Sequence, residues 1–151
     1  MDRSEKAKNL FKEGYNCSQS VFLTFEDLYG LDRQTALKIS SPFGAGFGML
    51  REVCGCVSGM MMALGAVEGY CSPEDREGKK QLYKEVQALA HAFEKENGSI
   101  ICRELLGLQK GETLKEPAVR TEEYYRKRPC AELCALAAGL LQAHLEEKGK
   151  L

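Results

Sequence analysis

Apolar residues along this chain recur at intervals of three and four, and nowhere alternate in a sustained run. That is the spacing of helices with one buried face. Residues 4–13 read as a first helix closed by Gly14. Asn16 is a good N-cap for a second, with Val21, Phe22, Phe25, Leu28 and Tyr29 on one face and Gly30 at its end. A short third helix over 32–40 is stopped by Pro42, and a glycine loop, Phe43-Gly44-Ala45-Gly46-Phe47-Gly48, follows. Residues 52–68 are apolar almost all round, which predicts a central helix. Ser72-Pro73-Glu74-Asp75 combines cap, proline and acids and starts a fifth helix with Leu82, Val86, Leu89 and Phe93 inward, ending at Asn97-Gly98. Ser99 caps a sixth helix through Leu106. Residues 107–120 are polar and read as a loop, and 121–127 as one or two helical turns. Pro129 opens the last helix, with Leu133, Ala137, Leu140 and Leu141 inward. The prediction is an all-α, single-domain bundle of about six helices around a central apolar helix.

A chain of 151 residues can bury a core without covalent staples. A net charge of −1, with bases and acids interspersed, gives no general attraction to nucleic acid or anionic lipid. The stretch 53–67 is too short, and too rich in Gly, Cys and Ser, to span a bilayer. The charged start, Met1-Asp2-Arg3-Ser4-Glu5-Lys6, lacks the apolar run of a signal peptide, so a cytoplasmic location is expected.

Seven cysteines change the picture. In a reducing compartment they do not form a disulfide framework, and an odd number cannot pair completely. Four share a placement. Cys17 follows the cap Asn16, Cys54 lies in the first turn after the glycine loop, Cys102 in the first turn after Ser99, and Cys130 directly after Pro129. Helix starts present unpaired N–H groups and partial positive charge, which favour thiolate. Thiolates ligate metals and attack disulfides. Each of the four also shares a helix face with apolar residues, such as Val21, Val57, Leu105 or Leu133, so all four can converge on the core side. No close-set pair of zinc-finger or haem type is present. Single cysteines also pack simply as small hydrophobes, and a structural cysteine cluster stays open.

The segments Asn16-Cys17-Ser18-Gln19-Ser20-Val21-Phe22, Gly44-Ala45-Gly46-Phe47-Gly48 and Glu52-Val53-Cys54-Gly55-Cys56-Val57-Ser58-Gly59 resemble the C-GCAxxG-C-C family of small proteins described as redox-active. Cys102, before Glu104-Leu105, and Cys130, before Leu133, match its last two cysteines, and the resemblance covers residues 3–145. It implies that Cys17, Cys54, Cys102 and Cys130 are the redox-active, metal-ligating residues. The family's alanine is Cys56 here. Were 54–59 helical, Cys54 and Cys56 would point about 200° apart, which predicts Cys56 in the packing rather than in the site.

Gly44, Gly46, Gly48 and Gly55 are expected to let backbone approach the site and aim N–H groups at sulfur. Met49 stands where a dinucleotide fingerprint needs glycine, and no strand precedes it. Met60-Met61-Met62 point in different directions and are expected to pack. His91 is expected to be exposed, and His144 to sit near a helix C-terminus. Cys71, between helices, is expected outside the site; Cys134 is either a fifth ligand or core, with core preferred. Four thiolates suit an iron–sulfur cluster or zinc. A metal-free thiol–disulfide protein is the alternative. The expected partner is a redox protein or a small thiol.

Overall fold

A computed structural model describes residues 2–108 and 119–151, with backbone only over 125–127. Its order is α1 (Arg3–Lys12), α2 (Cys17–Leu23), a 3-10 turn (Glu26–Leu28), α3 (Arg33–Ser40), a 3-10 turn (Ser41–Phe43), α4 (Gly44–Phe47), α5 (Gly55–Glu68), α6 (Arg76–Asn97), α7 (Cys102–Leu105), α8 (Glu122–Lys127) and α9 (Cys130–Glu147). The protein is all-α. Among the described residues the one extended pairing is an isolated antiparallel bridge, Val53 with Ile101. The loop expected over 107–120 falls mostly outside the described residues.

The caps explain where helices begin. Asp2 Oδ1 accepts from Glu5 N–H at 2.9 Å, and Asp32 Oδ2 from Thr35 N–H at 3.0 Å. Asn16 makes a full capping box: its Oδ1 accepts from Gln19 N–H at 2.9 Å while Gln19 Oε1 accepts from Asn16 N–H at 3.0 Å. Helix α6 starts later than Pro73 suggested, because Asp75 is its cap and accepts from Gly78 N–H at 2.8 Å. Helix α2 stops at Leu23 rather than running to Gly30. Near its end Thr24 Oγ1 donates to Ser20 O at 2.7 Å, and such a hydroxyl competes with the helix ladder.

Helix α5 packs on α2, α4, α6 and α9, while α9 packs on α1, α2, α5 and α6. A Cβ on Gly59 would lie 2.6 Å from Ser18 O, so glycine there sets how closely α2 and α5 approach. Phe11, Phe25, Phe93, Leu64 and Leu141 are fully buried in the shared core. Each contributes about 1.5–3 kcal/mol relative to exposure. No helix among the described residues is long and apolar enough to cross a membrane.

Candidate functional site

The four cysteines stand at helix starts, but only Cys17 follows a side-chain cap, and α7 begins at Cys102 with Ile101 before it rather than at Ser99 as expected. Cys17, Cys102 and Cys130 are the first residues of α2, α7 and α9, and Cys54 is the N-cap of α5. Two backbone bonds draw distant segments together: Cys54 N–H donates to Ile100 O at 2.8 Å, and Cys102 N–H to Glu52 O at 2.6 Å. All four cysteines line a single cavity of about 310 Å³, and Gly44, Gly46, Gly48 and Gly55 form part of its wall. Two of these glycines touch the cysteines. A Cβ on Gly46 would lie 2.5 Å from Cys102 Cβ, and one on Gly55 would lie 3.0 Å from Cys17 Cβ.

The glycine loop has a conformation that the sequence did not suggest. Ala45, Gly46, Phe47, Gly48 and Met49 have φ of 58°, 67°, 73°, 60° and 73°, one turn of left-handed helix. Its i to i−4 bonds are present: Gly48 N–H donates to Gly44 O at 2.9 Å and Met49 N–H to Ala45 O at 3.1 Å. For a non-glycine residue this hand costs about 1–2 kcal/mol. The turn is held by Glu52 N–H on Gly46 O at 2.8 Å, and Arg103 Nη2 on Leu50 O at 3.0 Å secures the chain beyond it. Strain of this kind, kept by surrounding bonds, is characteristic of functional sites.

The family model described as "Putative redox-active protein (C_GCAxxG_C_C)" matches residues 15–144. The chain belongs to the C-GCAxxG-C-C family. No match was found among curated proteins or among solved structures.

This C-GCAxxG-C-C chain carries more sulfur at its site than the family's four positions. The Sγ atoms of Cys17, Cys56 and Cys134 all lie within 4.8 Å of one another, close enough to hold a metal ion. Cys56 and Cys134 are fully buried, with their sulfurs 3.2 Å apart. Both pack in the core, as expected, and neither lines the cavity, yet their sulfurs also neighbour that of Cys17. The helical-spacing argument against Cys56 fails because Cys54 is not helical: its φ and ψ are −53° and 133°. Helix α5 begins one residue later, so the angle between the two side chains is not set by helix geometry. Cys134 lies one turn after Cys130 on α9, and that spacing was the available signal. Cys71 is exposed. His91 is exposed, and Met60 is fully buried.

Arginines surround the cavity, and the sequence reading did not find them. Arg51, Arg120 and Arg128 all line it. Arg51 is 4% exposed, has φ of 61°, and places Nη1 3.7 Å from Cys102 Sγ, while its Nε has no hydrogen-bond partner. Arg120 donates to Phe11 O and, at 2.8 Å, to Tyr15 O, with its guanidinium over the Phe11 ring. A buried cation is costly unless a negative group offsets it, and here the nearby groups are thiols.

The thiols do not all behave as helix starts alone would have them. Hydrogen bonding from Cys56 lowers the Cys54 pKa, with burial opposing. Burial raises Cys102, and Arg51 offsets part of that. Cys130 is raised by its hydrogen bond to Cys17 and then by burial. Cys17 is pulled down by Cys130, but its bond to Cys134 and its burial carry it above the ordinary range. Cys56 is raised strongly by burial and by Cys134. Against burial, which opposes it most, S–H bonds from Cys17 and Cys56 bring Cys134 down to about 6. Cys54 and Cys134 are therefore the thiols shifted toward the thiolate, while burial leads the upward shifts of Cys56 and Cys102 and bonds between thiols lead those of Cys17 and Cys130.

Proposed function

We propose that this protein is an electron-transfer protein of the cytoplasm whose redox centre is an iron–sulfur cluster held by Cys17, Cys54, Cys102 and Cys130. The observation that carries the reading is the convergence of these four cysteines, from four separate helices, on one cavity that also holds three arginines. The donor set fits the group, because all-thiolate ligation suits iron–sulfur clusters. When bound, such a cluster supplies one-electron chemistry. The chain's own residues do the rest. Arg51, Arg120 and Arg128 offset the negative charge of the thiolates. Leu105, Leu106 and Leu133 form an apolar part of the wall and limit water. The left-handed turn and Gly55 let backbone come close enough to hydrogen-bond sulfur, which tunes a centre's potential. A redox protein or a small thiol is the proposed partner.

The test is anaerobic purification, or reconstitution with iron and sulfide, followed by iron and sulfide analysis and a dithionite titration read by absorbance. The wild-type chain is expected to bind iron and sulfide and to bleach reversibly, and Cys54→Ser to lose both. A wild-type chain that binds neither and shows no transition overturns the proposal.

The contact between Cys56 and Cys134 favours a second reading, a metal-free dithiol. The two thiols would lose two protons and two electrons to form one disulfide, reducing the disulfide of a partner thiol compound to two thiols. Thiol counting across graded thiol redox buffers would show a two-thiol change, abolished by Cys134→Ser.

A further inference from the structure

Away from the cysteine cavity, three helices bring together a different set of donors. Glu68 ends α5, Glu85 lies in α6 and His144 in α9. One ligand atom from each lies within 4.8 Å of the other two. His144 Nε2 is 3.7 Å from Glu68 Oε2 and 3.7 Å from Glu85 Oε1. Both carboxylate side chains are 6% exposed and that of His144 is 18% exposed. A second observation points to a ligand. Both oxygens of Glu68 and Nε2 of His144 are buried with no hydrogen-bond partner. Buried polar atoms in native proteins are nearly always satisfied, so such a set calls for an explanation, of which an ion is one.

Lys148 already brings positive charge to this cluster: its ammonium contacts Glu85 Oε1 and lies 3.6 Å from Glu68 Oε2. It leaves the remaining oxygen of Glu68 without a hydrogen bond, and His144 Nε2 meets the two carboxylates only at ion-pair distance. Lys148 is also 34% exposed on a flexible stem, so it can turn outward to water. An imidazole nitrogen and two carboxylate oxygens around one point suit a first-row divalent cation at roughly 2.0–2.2 Å from each, which needs ligand atoms roughly 3–3.6 Å apart. The observed 3.7 Å spacings contract to that by a few tenths of an ångström.

We infer that Glu68, Glu85 and His144 form a second metal site, separate from the cysteine centre, that binds a divalent transition cation through two carboxylates and one imidazole. It ties α5, α6 and α9 together, and binding displaces the Lys148 ammonium. The site does not rest on the proposed function of the cysteines.

Manganese(II) is the discriminating probe, because carboxylate and imidazole accept it and thiolates select softer ions. Binding is followed by the loss of the free-ion electron paramagnetic resonance signal on titrating the whole chain. One ion per chain is expected. Glu68→Gln and His144→Gln are expected to weaken binding at least tenfold with helix content unchanged, and Cys102→Ser to leave it as in wild type. Lys148→Ala removes a competing charge and no ligand, so it is expected to tighten binding several-fold, which a merely structural ion-pair network would not produce. Wild-type protein that leaves the free-ion signal unchanged at millimolar manganese overturns the inference. So does binding that Cys102→Ser abolishes, or that Lys148→Ala leaves unchanged or weakens. None of these outcomes bears on iron and sulfide binding at the cysteines.

Discussion

Gly46 meets two demands that no other residue type meets together. Its φ of 67° is in the left-handed region, and its missing Cβ leaves room for Cys102 Cβ, Arg51 Cα and Glu52 N, which a Cβ would approach to 2.5, 2.8 and 2.9 Å. Two of those three neighbours are backbone, which cannot swing aside. Gly46→Ala is therefore expected to cost about 1–3 kcal/mol by overpacking, with the left-handed strain added. It should also displace Cys102 from the cavity. Urea unfolding measures the first effect, and iron content after reconstitution the second. A variant as stable as wild type would show that the loop relaxes and that the close approach is not required.

At the scale of elements, Arg3 fastens the start of α1 to α9 and to the segment after α2. Arg3 N–H donates to Gln142 Oε1 of α9 at 3.1 Å, and the Arg3 guanidinium reaches Thr24 O at 2.9 Å and Asp27 Oδ1 and Oδ2 at 2.8 and 2.9 Å. The bidentate bond from Arg3 holds the Asp27 carboxyl below its ordinary 3.8, with burial opposing. A carboxyl whose pKa is depressed in the folded state stabilises the protein fully above its unfolded pKa. That contribution fades as pH falls through the lower, folded value. Asp27 is more than half exposed, so the pair is partly screened. Asp27→Asn is expected to cost about 0.5–1 kcal/mol near neutral pH, a cost that fades as pH falls below 3.8 and through the lowered, folded value. Unfolding midpoints of the two proteins should therefore converge on acidification; a gap constant with pH would assign the loss to packing instead.

For the whole molecule, the cysteine cavity is where distant parts of the chain meet. Its walls come from the starts of α2, α5, α7 and α9 and from the left-handed turn. A group bound there cross-links segments more than a hundred residues apart and stabilises the folded state by mass action. Reconstituted protein is expected to unfold at a higher temperature than the metal-free form, by several degrees, and chelation to reverse the difference. Cys102→Ser should remove most of the gain, because α7 is short and is tied to the rest through Cys102 N–H and Arg103. Equal melting temperatures with and without the bound group would place it outside this junction.

Much of this was legible in the residues alone. Apolar periodicity, the cap Asn16 and the helix-opening Pro129 specified an all-α chain and several of the helix starts, because those preferences act over three or four neighbouring residues. They also marked out Cys17, Cys54, Cys102 and Cys130. Where Asp75 displaced Pro73 as the start of α6, local chemistry offered two adjacent solutions and packing chose between them. The membership of the sulfur cluster was a different matter. Cys56 joins Cys17 and Cys134 because α5 packs on α2 and α9, and Cys54 stays extended beside it under a bond to Ile100, a partner 46 residues away that no local rule includes. The left-handed hand of 45–49, the burial of Arg51 and the meeting of Glu68, Glu85 and His144 have the same origin. Each depends on contacts between segments far apart in sequence, and those exist only once the helices have packed.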